Sequence, residues 1–336
     1  MPKVVAFGEI LFRITPHPEN FTAEFSLGGA ELNVATALAA WGTDVAYISR
    51  MPENVLSGNV ESLLQGLHID TSRMLRGGER IGIYYMAPGG DMQSLSVVYD
   101  RKYSAFSQIE PGSVDWDSCL EGVDWLHWTA ITPALSEQVV TICHEMLAAA
   151  QKKGITISTD LNYRRLLWKY GKTPPEIMPG LVEYCDVIMG NLWSASDMLG
   201  INWNEAALVR DDKKNCTGMA EQVARDIQAR YPKCRQIAFT FRLTKKDGRL
   251  DYFATLYSKD QIFESVTFKR ESVVDSVGSG DSFLAGLIYG NLQNMAEQEL
   301  INFAAASAVS KLNIKGDANR TPVNQIRELL NEPGLQ

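Results

Sequence analysis

The sequence predicts an α/β protein: a three-layer α/β/α core on a mainly parallel sheet, with a small separate β-sheet as a lid. Three observations predict it. Apolar runs of strand length alternate with helical patterns, the rhythm of βαβ units. Those runs are continuously apolar, which marks strands covered on both faces of a parallel sheet. Two stretches, residues 10–27 and 80–101, break the rhythm with alternating, aromatic-rich segments (IGIYYM at 81–86, LSVVY at 95–99) and with Gly and Pro between them. They read as antiparallel strands outside the core, and so as a lid.

Taken in order, residues 4–8 form a short apolar strand and GAELNVATALAAW at 29–41 a helix. A strand at 45–49 and a helix at 54–65 repeat the unit. The rhythm returns with a strand at 125–128, a helix at 136–152, and strands at 155–160 and 187–190. Residues 202–217 are polar and read as an exposed loop or insertion. The chain closes with helices at 280–290, 297–311 and, after Pro322, 323–330. Gly316-Asp317-Ala318-Asn319 is the turn between the last two. No repeat, low-complexity tract or long linker interrupts residues 1–336, which read as a single domain.

The 336 residues are 45% hydrophobic, enough to bury a large core, and 21% charged, close to the globular average. A formal net charge of -8 argues against nucleic-acid and membrane-surface partners, which call for a basic face. It leaves room for an anionic ligand held by a few local cations. The five cysteines are scattered without a CxxC, as in a reducing compartment, so a cytoplasmic protein is expected. The first residues, MPKVVAFGEILFRITP, carry Glu9 and Arg13 within a short apolar run and read as neither signal peptide nor membrane span. The four histidines form no metal constellation, and no protein metal site is expected.

The strongest chemical signal is Asp275-Ser-Val-Gly278-Ser279-Gly280-Asp281-Ser-Phe-Leu-Ala-Gly286. Its glycines precede an apolar helical run. Backbone without side chains can approach a ligand closely, and the first amides of a helix point outward unpaired. With the helix dipole they make an anion hole suited to a transferring phosphoryl group. Asp281 sits at the same helix start, placed to take a proton from a hydroxyl nucleophile. Taken alone, Gly-x-Gly-Asp reads equally as a capped helix start. It is not a Walker A loop, since no GxxxxGK[ST] occurs, nor a dinucleotide fingerprint, since Phe283 stands where the third glycine belongs.

The run DSVGSGDSF resembles the carboxy-terminal signature D-T-x-G-A-G-D of the ribokinase-like (PfkB) carbohydrate kinases. Gly28-Gly29-Ala30-Glu31-Leu32-Asn33-Val34-Ala35 resembles their amino-terminal sugar-binding signature. Asp160-Leu-Asn162-Tyr-Arg164 with Leu167-Trp168, and His127-Trp128-Thr129-Ala130-Ile131-Thr132-Pro133, are similar to the 2-keto-3-deoxygluconate kinases within that family. So is Gly316-Asp317-Ala318-Asn319. The resemblance covers nearly the whole chain. It implies a ribokinase-like fold and use of ATP with Mg2+ to phosphorylate 2-keto-3-deoxygluconate at the 6-hydroxyl. It further implies that Gly29 and Asn33 contact the sugar, that Tyr85 and Tyr99 on the lid pack on it, and that Arg101 and Arg164 hold its carboxylate or the incoming phosphate. Gly278, Ser279 and Gly280 become the anion hole and Asp281 the base, with Asn191 and Gly316 toward the nucleotide; Arg242, read from its place in the strand end FTFRLT, is a further candidate for the nucleotide phosphates.

Physical reading of the arginines agrees. An acidic protein that binds a sugar acid needs local cations, and Arg grips carboxylates with two nitrogens. Arg164 follows the strand ending at Asp160, where α/β proteins bind ligands. Glu9, at the end of the first strand, is a candidate for a sugar hydroxyl or an edge residue. His127, within WLHWTAI, reads as a core histidine. The chain departs from the family at the N-x-x-E motif: Asn191 is present, but Ser194 stands where Glu is expected, and Asp197 follows three positions later. Alternatives are a kinase for a neutral sugar (fructose, ribose) or a nucleoside, and a sugar-binding regulatory protein with weakened phosphotransfer. Exposed lid strands need cover, so a homodimer through the lid is expected.

Overall fold

The computed structural model describes residues 3–86, 97–210, 212–244 and 249–332. Among them a ten-stranded sheet forms the middle layer. Its order runs Gln261–Glu264, Leu250–Ser258, Gln236–Thr244, Val187–Gly190, Thr156–Asp160, Trp125–Thr129, Lys3–Phe7, Asp44–Ile48 and Ile69–Asp70, with Phe268–Arg270 also on Leu250–Ser258. Every pairing from Ile69–Asp70 to Gln236–Thr244 is parallel; the remaining strands at the far end are antiparallel.

Successive residues of each strand feed opposite cores, because a strand's side chains alternate between faces. Val5, Phe7, Leu126 and Trp128 pack with helices Glu137–Lys152, Pro174–Val182, Leu192–Leu199 and Lys213–Arg230. Val4, Ala6, Tyr47 and Trp125 pack with Ala30–Ala40, Val55–Gly66, Ser279–Leu292, Glu297–Lys311 and Val323–Glu328. Apolar residues on both sides of one strand are what the continuous runs require, so the three-layer expectation holds.

Local chemistry sets the helix ends. Ser136 accepts the Val139 amide at 3.3 Å to cap one helix, and Asn54 accepts the Ser57 amide at 3.0 Å to cap another. Asp212 caps Lys213–Arg230, so the polar stretch 202–217 is loop only in its first part. Gln236–Thr244 contains the strand end FTFRLT, and its antiparallel partner Leu250–Ser258 is the strand the sequence does not announce.

The small sheet runs Thr22–Gly28, Leu11–His17, Gly82–Met86, Val97–Asp100. Its outer pairs are antiparallel, but the central pair, Leu11–His17 with Gly82–Met86, is parallel. This corrects the all-antiparallel expectation. Those two strands are joined through the core and not by a hairpin, so nothing forces them to run in opposite directions. Part of the second lid stretch, residues 87–96, lies outside the described residues. Among the described residues, no helix is long and apolar enough to cross a membrane.

Candidate active site

Parallel strands place all their carboxyl ends at one edge of the sheet, and side chains just beyond those ends converge there. Glu9 follows Lys3–Phe7, Asp160 ends Thr156–Asp160, and Asn191 follows Val187–Gly190. The amino ends of Ala30–Ala40 and Ser279–Leu292 point at the same place, and the small sheet closes over it. The result is a cleft of about 620 Å³.

Asp281 lies in the first turn of Ser279–Leu292, buried, and its Oδ2 accepts a hydrogen bond from Asn33 Nδ2 at 2.7 Å. The two helix starts named by separate motifs therefore meet side chain to side chain. Burial pushes the Asp281 carboxyl up to about 8. Asn33 opposes the rise, the Asp160 charge adds to it, and Arg164 opposes it. Burial likewise raises Asp160 to about 6. Glu31 is buried beside them, with Thr129 and Thr132 hydroxyls donating to its Oε1 at 2.6 and 3.0 Å.

Gly278 precedes that helix in the left-handed region (φ 78°), and a Cβ there would stand 1.8 Å from the Asp317 carbonyl oxygen. Only glycine lets the two backbones approach so closely. Gly278, Ser279 and Gly280 all line the cleft, and the first amides of the helix they open lack intrahelical partners.

Arg101 is buried and its Nε donates to Glu9 Oε2 at 2.6 Å. Glycine at position 82 makes room for this pair, since a Cβ would come within 2.3 Å of Glu9 Oε1. Arg164 lines the cleft and its Nη1 donates to the Tyr163 carbonyl at 3.1 Å. Four polar atoms of cleft-lining residues are buried with no protein partner among the described residues: Glu9 Oε1, Tyr99 Oη, Arg164 Nε and Tyr252 Oη. Orphaned buried groups of this kind ask for a ligand or water.

The structure brings Gly29, Asn33, Tyr99, Arg101, Arg164, Asn191, Arg242 and the Gly278–Asp281 run to one cleft. It does not bring Tyr85. The strand Gly82–Met86 turns Tyr84 inward instead, and Tyr84 Oη donates to Asp317 Oδ2. Alternation along a strand makes neighbouring tyrosines face opposite ways. Gly316 is also displaced: its amide donates to Asp275 Oδ2 at 3.2 Å, and Asp317 reaches the cleft in its place. Asn191 caps its helix through the Ser194 amide at 2.8 Å, so its side-chain oxygen is already engaged. Ser194 completes the cap, its Oγ accepting from the Asn191 amide at 2.9 Å. His127 is a buried core residue, held at 3.1 Å from Ser158 Oγ, with its pKa pushed down to about 3 by burial.

Arg13 escaped the sequence reading. Its guanidinium donates to Asp317 and, at 3.4 Å, to Asp275. Arg210 and Trp193 escaped it too; they line the cleft with the guanidinium carbon 4.6 Å from the indole centroid. Tyr84→Phe is expected to destabilise the protein by about 1–3 kcal/mol, because it leaves buried Asp317 short of a donor. Tyr85→Phe should change stability by only a few tenths. Urea unfolding of both variants checks the assignment.

The chain's relatives carry a consistent chemistry. The sequence model described as pfkB family carbohydrate kinase matches residues 1–224 and 252–324. A 2-dehydro-3-deoxygalactonokinase of Haloferax volcanii is 26% identical over 335 residues, spanning 98% of this chain and 96% of its own. A 2-dehydro-3-deoxygluconokinase of Thermoproteus tenax is 24% identical over 334 residues, spanning 96% and 92%. The crystal structure of a 2-dehydro-3-deoxygluconokinase from Thermotoga maritima superposes with a TM-score of 0.87 at 32% identity, covering 99% of this chain and 100% of that one.

Proposed function

Given that the chain belongs to the pfkB family of carbohydrate kinases, we propose that it transfers the γ-phosphoryl group of ATP to the 6-hydroxyl of 2-keto-3-deoxygluconate (2-dehydro-3-deoxygluconate). One observation carries the choice of a sugar acid. Two arginines, Arg101 and Arg164, line the same cleft as buried Asp281, and Arg164 Nε is buried there without a protein acceptor. A carboxylate on the substrate supplies that acceptor. Tyr99 Oη and Glu9 Oε1 are then left for hydroxyls.

In this reading Asp281 removes the proton of the attacking hydroxyl as the phosphoryl group arrives, and Asn33 fixes the orientation of its carboxylate. The amides opening Ser279–Leu292 receive the transferring group, whose charge spreads onto its outer oxygens. The lid excludes water from the transfer. Among the described residues no three His, Cys, Asp or Glu side chains gather to hold a metal ion. A magnesium ion would be carried on the nucleotide's phosphates and its own waters, with cleft-lining Asp197 as a candidate carboxylate. Bound there, magnesium neutralises phosphate charge.

Arg164→Ala is expected to raise KM for the sugar acid roughly 10- to 100-fold, the loss of a charge-assisted bond, while KM for ATP moves only a few-fold. The expected homodimer would pair the outer faces of two lids, where Phe25 and Val98 are 60% and 59% exposed. Sedimentation should give twice the chain mass, reduced to the monomer by Phe25→Asp with Val98→Asp. A monomeric wild type ends that proposal.

A second reading draws on the Glu9–Arg101 pair. Glu9 neutralises one of the two guanidinium groups, which favours a neutral sugar such as fructose or ribose. An ADP-release assay with MgATP separates the two. The panel is 2-keto-3-deoxygluconate, its C4 epimer 2-keto-3-deoxygalactonate, fructose, ribose and adenosine. Turnover on the acids alone supports the first reading, and turnover on a neutral compound overturns it.

A further inference from the structure

Helix Leu192–Leu199 starts at the cleft, with Asn191 and Trp193 lining it, and ends at Gly200, left-handed at φ 63°. The chain then returns through Glu205–Ala207 and reaches the cleft again at Arg210, just before Asp212 caps Lys213–Arg230. Asn215 pins this return. Its Oδ1 accepts the Val209 amide at 2.7 Å, and its Nδ2 donates to the Ala207 carbonyl at 3.2 Å. The polar stretch read from the sequence as a loop or insertion thus delivers an arginine to a fixed place on the cleft wall.

Arg210 lies over the Trp193 ring, its guanidinium carbon 4.6 Å from the indole centroid. The indole is itself held on two sides: Nε1 donates to Glu205 Oε1 at 2.7 Å, and Trp203 packs edge-on with centroids 5.6 Å apart. Among the described residues no carboxylate pairs with Arg210. A guanidinium on an aromatic face keeps its N–H donors free, where an ion pair would spend them. Its place in the fold says which anion it suits. Trp193 and Arg210 belong to the helix layer of Leu192–Leu199 and Lys213–Arg230, whereas the Gly278–Asp281 turn opens a helix of the other layer. The two meet across the end of one strand. Met189, near the end of Val187–Gly190, touches the turn, its Cε 3.7 Å from where a Cβ on Gly280 would stand. Gly190 and Asn191 lead from there into the helix that carries Trp193. An anion seated on the amides of the turn faces the Trp193–Arg210 side of the cleft.

We propose that Arg210 binds the γ-phosphoryl group of ATP: the Trp193 indole is a shelf that holds its guanidinium ready, and the guanidinium grips the outer oxygens from the layer opposite the Gly278–Asp281 turn. In the transfer the sugar oxygen bonds to the γ-phosphorus, the bond to the ADP oxygen breaks, and the hydroxyl proton goes to Asp281. Arg210 holds charge on the outer oxygens throughout. The inference rests on the phosphoryl-transfer reading of the cleft and adds to it a residue outside the glycine turn.

Two measurements on the full chain test it: calorimetric binding, without sugar, of ADP and of the β,γ-imido analogue of ATP, each with magnesium, and kinetics with the sugar acid. Arg210 is exposed, so Arg210→Ala should melt within a few degrees of wild type. It is expected to bind the ATP analogue roughly tenfold or more weakly, while ADP affinity stays within about threefold, since ADP lacks the gripped group. With the sugar acid, kcat should fall about 10- to 100-fold and KM for the sugar should hold. Arg210→Gln, which keeps a polar stem without the charge, should show the same losses. Arg210→Lys keeps the charge without the planar fork and should recover only part of them. Trp193→Leu should cost a few-fold in kcat when Arg210 is present and nothing further in Arg210→Ala, because the shelf acts through the arginine.

Affinity of Arg210→Ala for the ATP analogue within about threefold of wild type would overturn the proposal. Equal weakening of both nucleotides would do the same, since it places Arg210 elsewhere on the nucleotide. So would a raised KM for the sugar acid with nucleotide binding intact, which assigns Arg210 to the substrate carboxylate. A Trp193→Leu loss that persists undiminished in Arg210→Ala refutes the shelf. Should wild type phosphorylate no sugar acid while its preference for the ATP analogue over ADP still depends on Arg210, the substrate reading falls and the γ-phosphoryl assignment stands.

Discussion

Asp281→Asn should leave a folded protein whose kcat is about 10³- to 10⁴-fold below wild type, with KM for both substrates within a few-fold. The substitution conserves shape, and the new amide's oxygen can still accept from Asn33 Nδ2, as Asp281 Oδ2 does now at 2.7 Å. Only the proton acceptor is lost. A variant retaining a tenth of wild-type turnover would sink the assignment of Asp281 as base. The raised pKa adds two further signatures. Since the carboxyl is held up to about 8 by burial, kcat/KM of the wild type should fall on the acid side with a limb near that value, well above an ordinary carboxylate. Stability runs the other way. An acid whose folded pKa is raised stabilises most below its unfolded value and loses that contribution as pH rises through the folded one. Asp281→Asn should therefore melt at or above wild type near pH 8, with the gap closing toward pH 4. An inactive variant that is also the more stable one is hard to reconcile with a purely structural aspartate.

Gly278→Ala is the second severe change, and it acts through the backbone. The position has φ 78°, and the added methyl carbon would meet the Asp317 carbonyl oxygen at 1.8 Å, so the two segments must part. We expect kcat to fall on the order of 10²- to 10³-fold and KM for ATP to rise, because the amides of the turn no longer face the phosphate. The melting temperature should drop by several degrees. Gly42→Ala supplies the control. That glycine has φ 79° with nothing within 4 Å of an added Cβ. It carries the same torsional cost, about 1–2 kcal/mol, without the collision. Loss of activity in Gly278→Ala alone assigns the effect to the Gly278–Asp317 contact, and equal loss in both would refute it.

Much of this was legible in the sequence, and the limits have physical causes. The parallel core could be read because strands covered on both faces must be apolar throughout, as Val4, Val5, Ala6 and Phe7 are. The Gly278–Asp281 turn could be read because close backbone approach and a helix start leave a local mark in glycine spacing. Tyr84 and Tyr85 could not be told apart. They are adjacent, both aromatic, and only the strand's register against Leu11–His17 decides which faces inward. The part played by Ser194 was likewise hidden. Seen against the expected Glu it is a loss, yet in the structure its hydroxyl closes the cap on Asn191. Arg13 left no local mark at all, since it acts on a segment remote from it in the sequence.

That remoteness has a consequence for timing. Asn33 and Asp281 are 248 positions apart, and Arg13 and Asp317 are 304 apart. A ribosome releases the first members of both pairs long before their partners exist. The nascent chain can lay down its first strands and helix early, but the contacts that tie them to the far end of the chain wait until residue 317 has emerged. Any product of interrupted synthesis that stops short of that residue leaves Arg13 without its Asp317 partner.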